Sequence, residues 1–288
     1  MSDKQMIKDL RKKTGAGVLL CKKTLDGVKG NFEEALLCLR ERMNQSAEKK
    51  TDRHAGEGLV KFHITEDKKT AALVEVNCET DFVAMNKSFS DFVEMLALQV
   101  AMGDYKDLED LLASDYVLEG EGPVSQYLMA LSGKLGERIL VRRIKKLESQ
   151  TGFIMGYDHG KGRIGTLVCL EGRPDEDVGM EVAMHIAALK PQVVARQDLD
   201  PALVRDLQAT WTQETQQAGK PARIIDKIVS GKTIKYYSQV CLLDQKWIKD
   251  DQVTMADYLV ASGSGLRVQS FLRYETGDGL ERKTEVQS

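Results

Sequence analysis

The most unusual juxtaposition in the chain lies in Asn77-Cys78-Glu79-Thr80-Asp81-Phe82-Val83-Ala84-Met85-Asn86. Here an aromatic ring and a β-branched residue, Phe82 and Val83, are enclosed by Glu79, Asp81 and Asn86. Two readings stand side by side. In one, Phe82 folds back into its own core, which pattern alone favours because most phenylalanines are buried. In the other, the ring is presented beside a carboxylate, the type of side chain that dominates binding energy at protein interfaces. Thr80, Asp81, Phe82 and Val83 are therefore the candidate partner-binding residues. Lys22 and Lys23 sit beside apolar residues in a helical pattern and read by default as a solvated face. His185 lies within Val182-Ala183-Met184-His185-Ile186-Ala187-Ala188-Leu189, where the small residues allow close packing. A lone histidine there is more often a satisfied core or interface residue than a ligand.

Motifs for chemistry are weak elsewhere. Gly160-Lys161-Gly162-Arg163-Ile164-Gly165 fits G-x-G-x-x-G, but a strand follows it where the dinucleotide fingerprint needs a helix. A tight hairpin turn is the better reading. Ser230-Gly231-Lys232-Thr233 ends like a phosphate-binding loop, yet Asp226 stands where the motif needs its first glycine. That failure argues against direct nucleotide binding. His54, His63, His159 and His185 lack metal-ligand spacing, and neither G-x-S-x-G nor H-E-x-x-H occurs. No metal, cofactor or active site of the chain's own is expected.

A protein that acts without chemistry of its own must position surfaces, and 288 residues suffice for several modules. Charged residues form 30% of the chain and no apolar run approaches a membrane span, so no membrane is expected. The first residues, Met1-Ser2-Asp3-Lys4-Gln5, carry no signal or organellar targeting pattern, and the five cysteines are odd in number with no C-x-x-C. Both features point to the cytoplasm. The net charge of −3 argues against general affinity for nucleic acid. The charge is uneven, however. Residues 1–53 hold 13 Lys/Arg against 8 Asp/Glu, whereas residues 54–150 hold 11 against 17. A basic head on an acidic body suggests separate modules.

The head, residues 4–43, reads as three short helices. Met6, Ile7 and Leu10 line the first, Val18, Leu19, Leu25 and Val28 the second, and Phe32, Ala35, Leu36 and Leu39 the third. Breaks fall at Thr14-Gly15-Ala16-Gly17 and Gly30-Asn31, and a polar linker follows from Asn44 to Gly58, its start open to a helical reading. The rest contains a diverged repeat. Strands near 60–64 and 71–76 match strands at 152–157 and 164–170, with Leu73-Val74 paralleling Leu167-Val168 at an offset of 94. A helix follows in each copy, Leu98-Gln99-Val100-Ala101 paralleling Met184-His185-Ile186-Ala187 at an offset of 86. Each copy closes on Gly-x-Arg and a branched residue, at Gly136-Glu137-Arg138-Ile139 and Gly265-Leu266-Arg267-Val268. The fold class expected is α+β, two small antiparallel sheets each packed with helices. The fall from 94 to 86 gives the first copy eight extra residues before its helix, the segment holding Phe82. The second copy carries an insertion from about Asp198 to Cys241, read as a helical hairpin. Leu203, Leu207 and Trp211 would line one arm, Ile224, Ile225, Ile228 and Val229 the other, with a break at Gly219-Lys220-Pro221.

Together these segments resemble the elongation factor Ts (EF-Ts) family, nearly end to end. Leu10-Arg11-Lys12-Lys13-Thr14-Gly15-Ala16-Gly17 with Cys21-Lys22-Lys23 resembles the family's first signature. Val74-Glu75-Val76-Asn77-Cys78-Glu79-Thr80-Asp81-Phe82-Val83 resembles the second, which is long and specific. Met184-His185-Ile186-Ala187-Ala188, Gly219-Lys220-Pro221 and Gly277-Asp278-Gly279-Leu280-Glu281 keep the family's order. Thr24, Arg42-Met43 and Trp247 depart from the family's usual Ala, Lys-Gly and Phe.

The resemblance implies a UBA-like three-helix head over residues 1–54 and core subdomains over 55–148 and over 149–198 with 242–275. It also implies an inserted hairpin over 199–241 and a C-terminal module over 276–288. The implied function is guanine-nucleotide exchange on elongation factor Tu (EF-Tu). Phe82 would insert between helices of the partner's GTP-binding domain, and Asp81 would disturb the groups organising its Mg²⁺. Lys22, Lys23 and their neighbours on the head would grip that domain, and His185 with the helix around it would press on its phosphate-binding side. Two copies could also meet through the hairpin. The alternative reading is a UBA-like adaptor whose head carries most of the affinity while the core dimerises. An enzyme ranks third.

Overall fold

The computed structural model describes residues 3–14, 16–48, 53–117 and 122–280. The head folds as three helices, α1 (Asp3–Thr14), α2 (Val18–Gly27) and α3 (Phe32–Glu48). They close on Leu10, Cys21, Leu25, Ala35, Leu36 and Leu39. The turn before α3 needs a left-handed residue, and Gly30 supplies it at φ +81°, its N–H bonding Leu25 O at 2.9 Å. The expected apolar stripe of α2 is corrected in one respect. Cys21, Thr24 and Leu25 face inward, while Leu19 is 83% exposed. Leu19 lies on the outward face with Lys22 and Lys23, its i+3 and i+4 neighbours. Val18, at the first turn of α2, is half exposed. The start of the linker is helical, because α3 runs on to Glu48, and linker residues 49–52 lie outside the described residues.

The body contains the repeat as two three-stranded antiparallel sheets. The first is β1 (Glu57–Ile64), β2 (Thr70–Cys78) and β3 (Leu140–Glu148), in that order. Between β2 and β3 run α4 (Asp81–Ala84), α5 (Lys87–Met102), α6 (Leu108–Ala113) and α7 (Val124–Leu135). The second sheet has β4 (Phe153–His159), β5 (Ile164–Glu171) and β8 (Arg267–Glu275), with α8 (Glu176–Leu189) after β5. The hairpin, α9 (Pro201–Gln217) and α10 (Ala222–Val240), follows α8. Then come the small ribbon β6 (Lys246–Trp247) and β7 (Asp250–Thr254), and α11 (Met255–Ala261). Among the described residues, no helix is long and apolar enough to cross a membrane.

Irregularities copy the repeat. A break in register falls between Glu75 and Val76 against β3, and another between Cys169 and Leu170 against β8, the same 94-residue offset. The closing strands correct one detail. Val76 pairs with Val141 and its equivalent Leu170 with Val268, so these strands correspond at 127 residues. The two Gly-x-Arg segments are therefore two residues out of step, and Ile139 corresponds to Leu266, both buried. An even slip keeps each side chain on its face, which is why the motif looked aligned.

Strand alternation builds four layers. From β2, Ala72, Val74 and Val76 point to the α5 side, while Ala71 and Leu73 join Val60, Ile154, Leu167 and Cys169 between the sheets. Phe153, Met155, Val168 and Leu170 face α8. Burial on both faces makes β2 a continuous apolar run. The sheets meet so closely that a Cβ on Gly165 would stand 2.7 Å from Val60 Cγ1 and 2.9 Å from Leu73 Cδ1. In the same layer the fully buried Glu75 accepts from Arg142 Nη1 at 2.9 Å, Arg143 Nε at 2.5 Å and Gly277 N–H at 2.8 Å. Both arginines stay paired and the turn after β8 is fastened to the body.

The hairpin arms pack on each other, with Trp211 edge-on to Tyr236 at 6.2 Å and Ile225 buried. Leu203, expected on the inner stripe, is 44% exposed at the first turn of α9. The Gly160–Arg163 segment is the tight turn between β4 and β5, with Gly160, Lys161 and Gly162 all at positive φ. Ser230–Thr233 lies inside α10 and forms no loop.

Candidate functional site

The ten-residue segment folds because it carries two helix caps. β2 ends at Cys78, whose thiol donates to Thr80 O at 3.1 Å. Burial and then the Glu137 carboxylate push that thiol up to about 12, so it stays protonated. Thr80, in extended conformation, caps α4, its Oγ accepting from Val83 N–H. Six residues later Asn86 caps α5, its Oδ1 accepting from Ser88 N–H at 2.9 Å. Two caps so close leave room for a single helical turn. Such a turn must divide its side chains between inside and outside.

Val83 and Ala84 go inward to the core of the first copy. Asp81, Phe82 and Met85 go outward, Phe82 at 79% and Met85 at 72% exposure. Phe82 and Met85 are three residues apart and share one face. The inward reading of Phe82 is thus overturned, while Val83, grouped with the contacting residues, is corrected to an internal anchor of the turn.

Glu137, just before β3, braces this turn. Its Oε2 accepts the N–H groups of Glu79 and Thr80, each at 3.1 Å, and its Oε1 accepts Thr80 Oγ–H at 2.6 Å. Glu79 answers by accepting Arg138 N–H at 2.6 Å and pairing with Arg53 at 3.3 Å.

The other candidates lie apart from the turn. Lys22 and Lys23 are exposed together on α2, beside Leu19, and Leu37 on α3 is 59% exposed. His185 is fully buried in the second copy. Its Nδ1 accepts Ile248 N–H at 3.3 Å, so the proton sits on Nε2, which donates to Gln245 Oε1 at 3.1 Å. Burial holds its pKa below the usual histidine value, partly offset by Gln245, and keeps the ring neutral. The expectation that His185 presses on a partner is corrected, because it exposes no surface and fixes the Gln245–Ile248 loop from within. Its repeat equivalent, Gln99, does the same in the first copy, bonding Ser114 Oγ, Asp115 O and Val117 N–H.

Met85 and Glu137 were not singled out from sequence, and Leu19 was placed on the inward stripe of α2. Met85 had a usable signal, its i+3 spacing from Phe82 in a capped turn. Glu137 had no local signal, since a contact across 57 residues leaves no local pattern. Among the described residues, no group of three or more His, Cys, Asp or Glu could hold a metal ion. The arrangement offers a rigidly held apolar knob beside a carboxylate, suited to docking into a groove of another macromolecule.

Comparison with known proteins places the chain among the translation elongation factors. A family model described as Elongation factor TS matches residues 79–278. The chain is 40% identical to Elongation factor Ts of Clostridium kluyveri over 98% of its own length and 94% of that protein's. It is likewise 40% identical, over the same shares, to Elongation factor Ts of Clostridium novyi. Elongation factor Ts of Clostridium botulinum is 38% identical over 99% of this chain and 95% of its own. The chain belongs to the elongation factor Ts family.

Proposed function

We propose that the chain is the guanine-nucleotide exchange factor of elongation factor Tu and carries no active site of its own. The observation that supports this most is Phe82, an aromatic ring 79% exposed on a braced turn that its own body does not cover. Phe82, with Met85 beside it, enters between helices of the partner's GTP-binding domain. Asp81 then disturbs the groups that organise the partner's Mg²⁺. Loss of that ion leaves the GDP phosphates less compensated, and GDP leaves faster. Coupling of this kind is reciprocal, so bound GDP weakens the exchange factor as much as the factor weakens GDP. GTP then binds and helps displace the factor.

The UBA-like head, residues 1–54, grips the same domain through α2. Leu19 supplies an apolar contact, and Lys22 and Lys23 flank it with charge. The two core subdomains, 55–148 and 149–198 with 242–275, form the rigid platform behind the turn. The hairpin, 199–241, extends the surface available to the partner; of the C-terminal module, 276–288, residues 281–288 lie outside the described residues. The protein works in the cytoplasm and needs no direct nucleic-acid contact.

The test is release of a fluorescent GDP analogue from purified elongation factor Tu. Acceleration at substoichiometric amounts of this protein is expected. A folded, partner-binding sample that leaves the release rate unchanged would refute exchange and favour the adaptor reading.

A further inference from the structure

β2 ends at Cys78, so the N–H groups of Glu79 and Thr80 lie beyond the sheet and need partners from elsewhere. One carboxylate takes both. Glu137 is itself pinned, because its carbonyl accepts Ser132 Oγ–H at 2.5 Å and Gly136 before it caps α7 in the left-handed conformation, φ +78°. Arg138 N–H and Arg53 then hold the Glu79 carboxylate. Arg138 also donates to Arg53 O, which joins the segment arriving from the head to the same clasp.

The second copy provides an internal control. At the 127-residue correspondence of the closing strands, Glu137 matches Ser264. Ser264 Oγ bonds Ser262 Oγ at 2.8 Å and Leu266 N–H at 3.3 Å, both within its own turn. That copy passes from β5 to α8 without a presented turn. Clasp and presented turn therefore occur together in one copy and are replaced together in the other.

We infer that Glu137 is a positioning residue for nucleotide exchange, clasping the amides of Glu79 and Thr80 so that Asp81 and Phe82 leave the body in one fixed direction. The inference rests on the exchange reading. Without the clasp the turn samples other directions, and only the fraction in the docking-competent one acts. If that fraction falls to about one tenth, the apparent affinity for the partner falls about tenfold. A glutamine can replace the carboxylate, its oxygen accepting both amides and its NH₂ donating to Thr80 Oγ. An aspartate is one methylene too short to reach.

The experiment measures GDP release from elongation factor Tu across a concentration series of full-length wild type, Glu137→Ala, Glu137→Asp, Glu137→Gln and Phe82→Ala. Hydrogen exchange at the Thr80 amide is followed in parallel. For Glu137→Ala the half-saturating concentration is expected to rise about tenfold with the maximal rate nearly unchanged, alongside faster Thr80 exchange and a lower melting temperature from the freed donors. Glu137→Gln should recover the wild-type half-saturating concentration. Should the alanine variant not fold, the Asp and Gln pair carries the same contrast. A fully active Glu137→Ala or Glu137→Asp, beside an impaired Phe82→Ala, would overturn the positioning role alone. A wild type without effect on release would overturn the exchange reading and this inference with it.

Discussion

Truncating Phe82 to alanine separates a surface anchor from a core residue. In the free protein the ring is 79% exposed, so its removal opens no cavity, and stability should change by no more than about 0.5 kcal/mol. On the partner the loss is large. A phenylalanine that buries about 200 Å² has about 160 Å² left to bury when it is 79% exposed, worth about 4 kcal/mol gross at 25 cal/mol/Å². Binding costs consume part of this, and a central aromatic anchor typically retains about 2 kcal/mol or more, about thirtyfold. The assay pairs urea denaturation of Phe82→Ala with release of labelled GDP from elongation factor Tu. The expected result is an unchanged unfolding midpoint with stimulation weakened at least about tenfold. A variant that loses several kcal/mol of stability would show the ring to be core. A stable variant with full stimulation would show that another surface drives exchange.

Three further outcomes follow from the packing. Gly165→Ala should cost about 1–3 kcal/mol by urea denaturation, because its Cβ would press into Val60 and Leu73 between two sheets that cannot separate locally. Thr24→Val should stabilise the head by about 1 kcal/mol in a thermal melt, since the buried Thr24 hydroxyl has no hydrogen-bond partner among the described residues. Burial lowers the folded-state pKa of His185, so the unfolded chain binds the extra proton more readily. Its contribution is intact above the unfolded value of 6.5 and is lost as pH falls toward the folded value. Unfolding midpoints between pH 7 and 5 should therefore fall less steeply for His185→Gln than for wild type.

What the sequence discloses here depends on how far apart the interacting residues lie. Helices and strands carry period in every few residues, so the three head helices, both sheets and the hairpin were legible. The helix offset also survives at the level of burial. Leu98-Gln99-Val100-Ala101 and Met184-His185-Ile186-Ala187 share one pattern, the first residue half-buried and the rest buried. What period cannot tell is which of two apolar stripes meets a neighbour. Leu19 could have packed inward by composition, and only the placement of α1 and α3 turns it out with Lys22 and Lys23.

The presented turn is the harder case, because four residues have no usable period and hydrophobicity alone sends Phe82 inward. The caps held the missing information. Thr80 and Asn86 fix where helical turns must begin, and once α4 is a single turn, Val83 and Phe82 cannot both face the core. That local rule still leaves the direction of the turn free. The direction is set by Glu137, on a segment that period shows only as the approach to a strand. Comparison of the copies supplies what neither segment shows alone. The second copy has a tight connection after β5 and Ser264 where the first has Glu137, so the extra residues and their brace form one unit grafted onto a duplicated scaffold. A difference between internal repeats that appears at two distant positions at once is thus a readable sign of contact, even when no local pattern connects them.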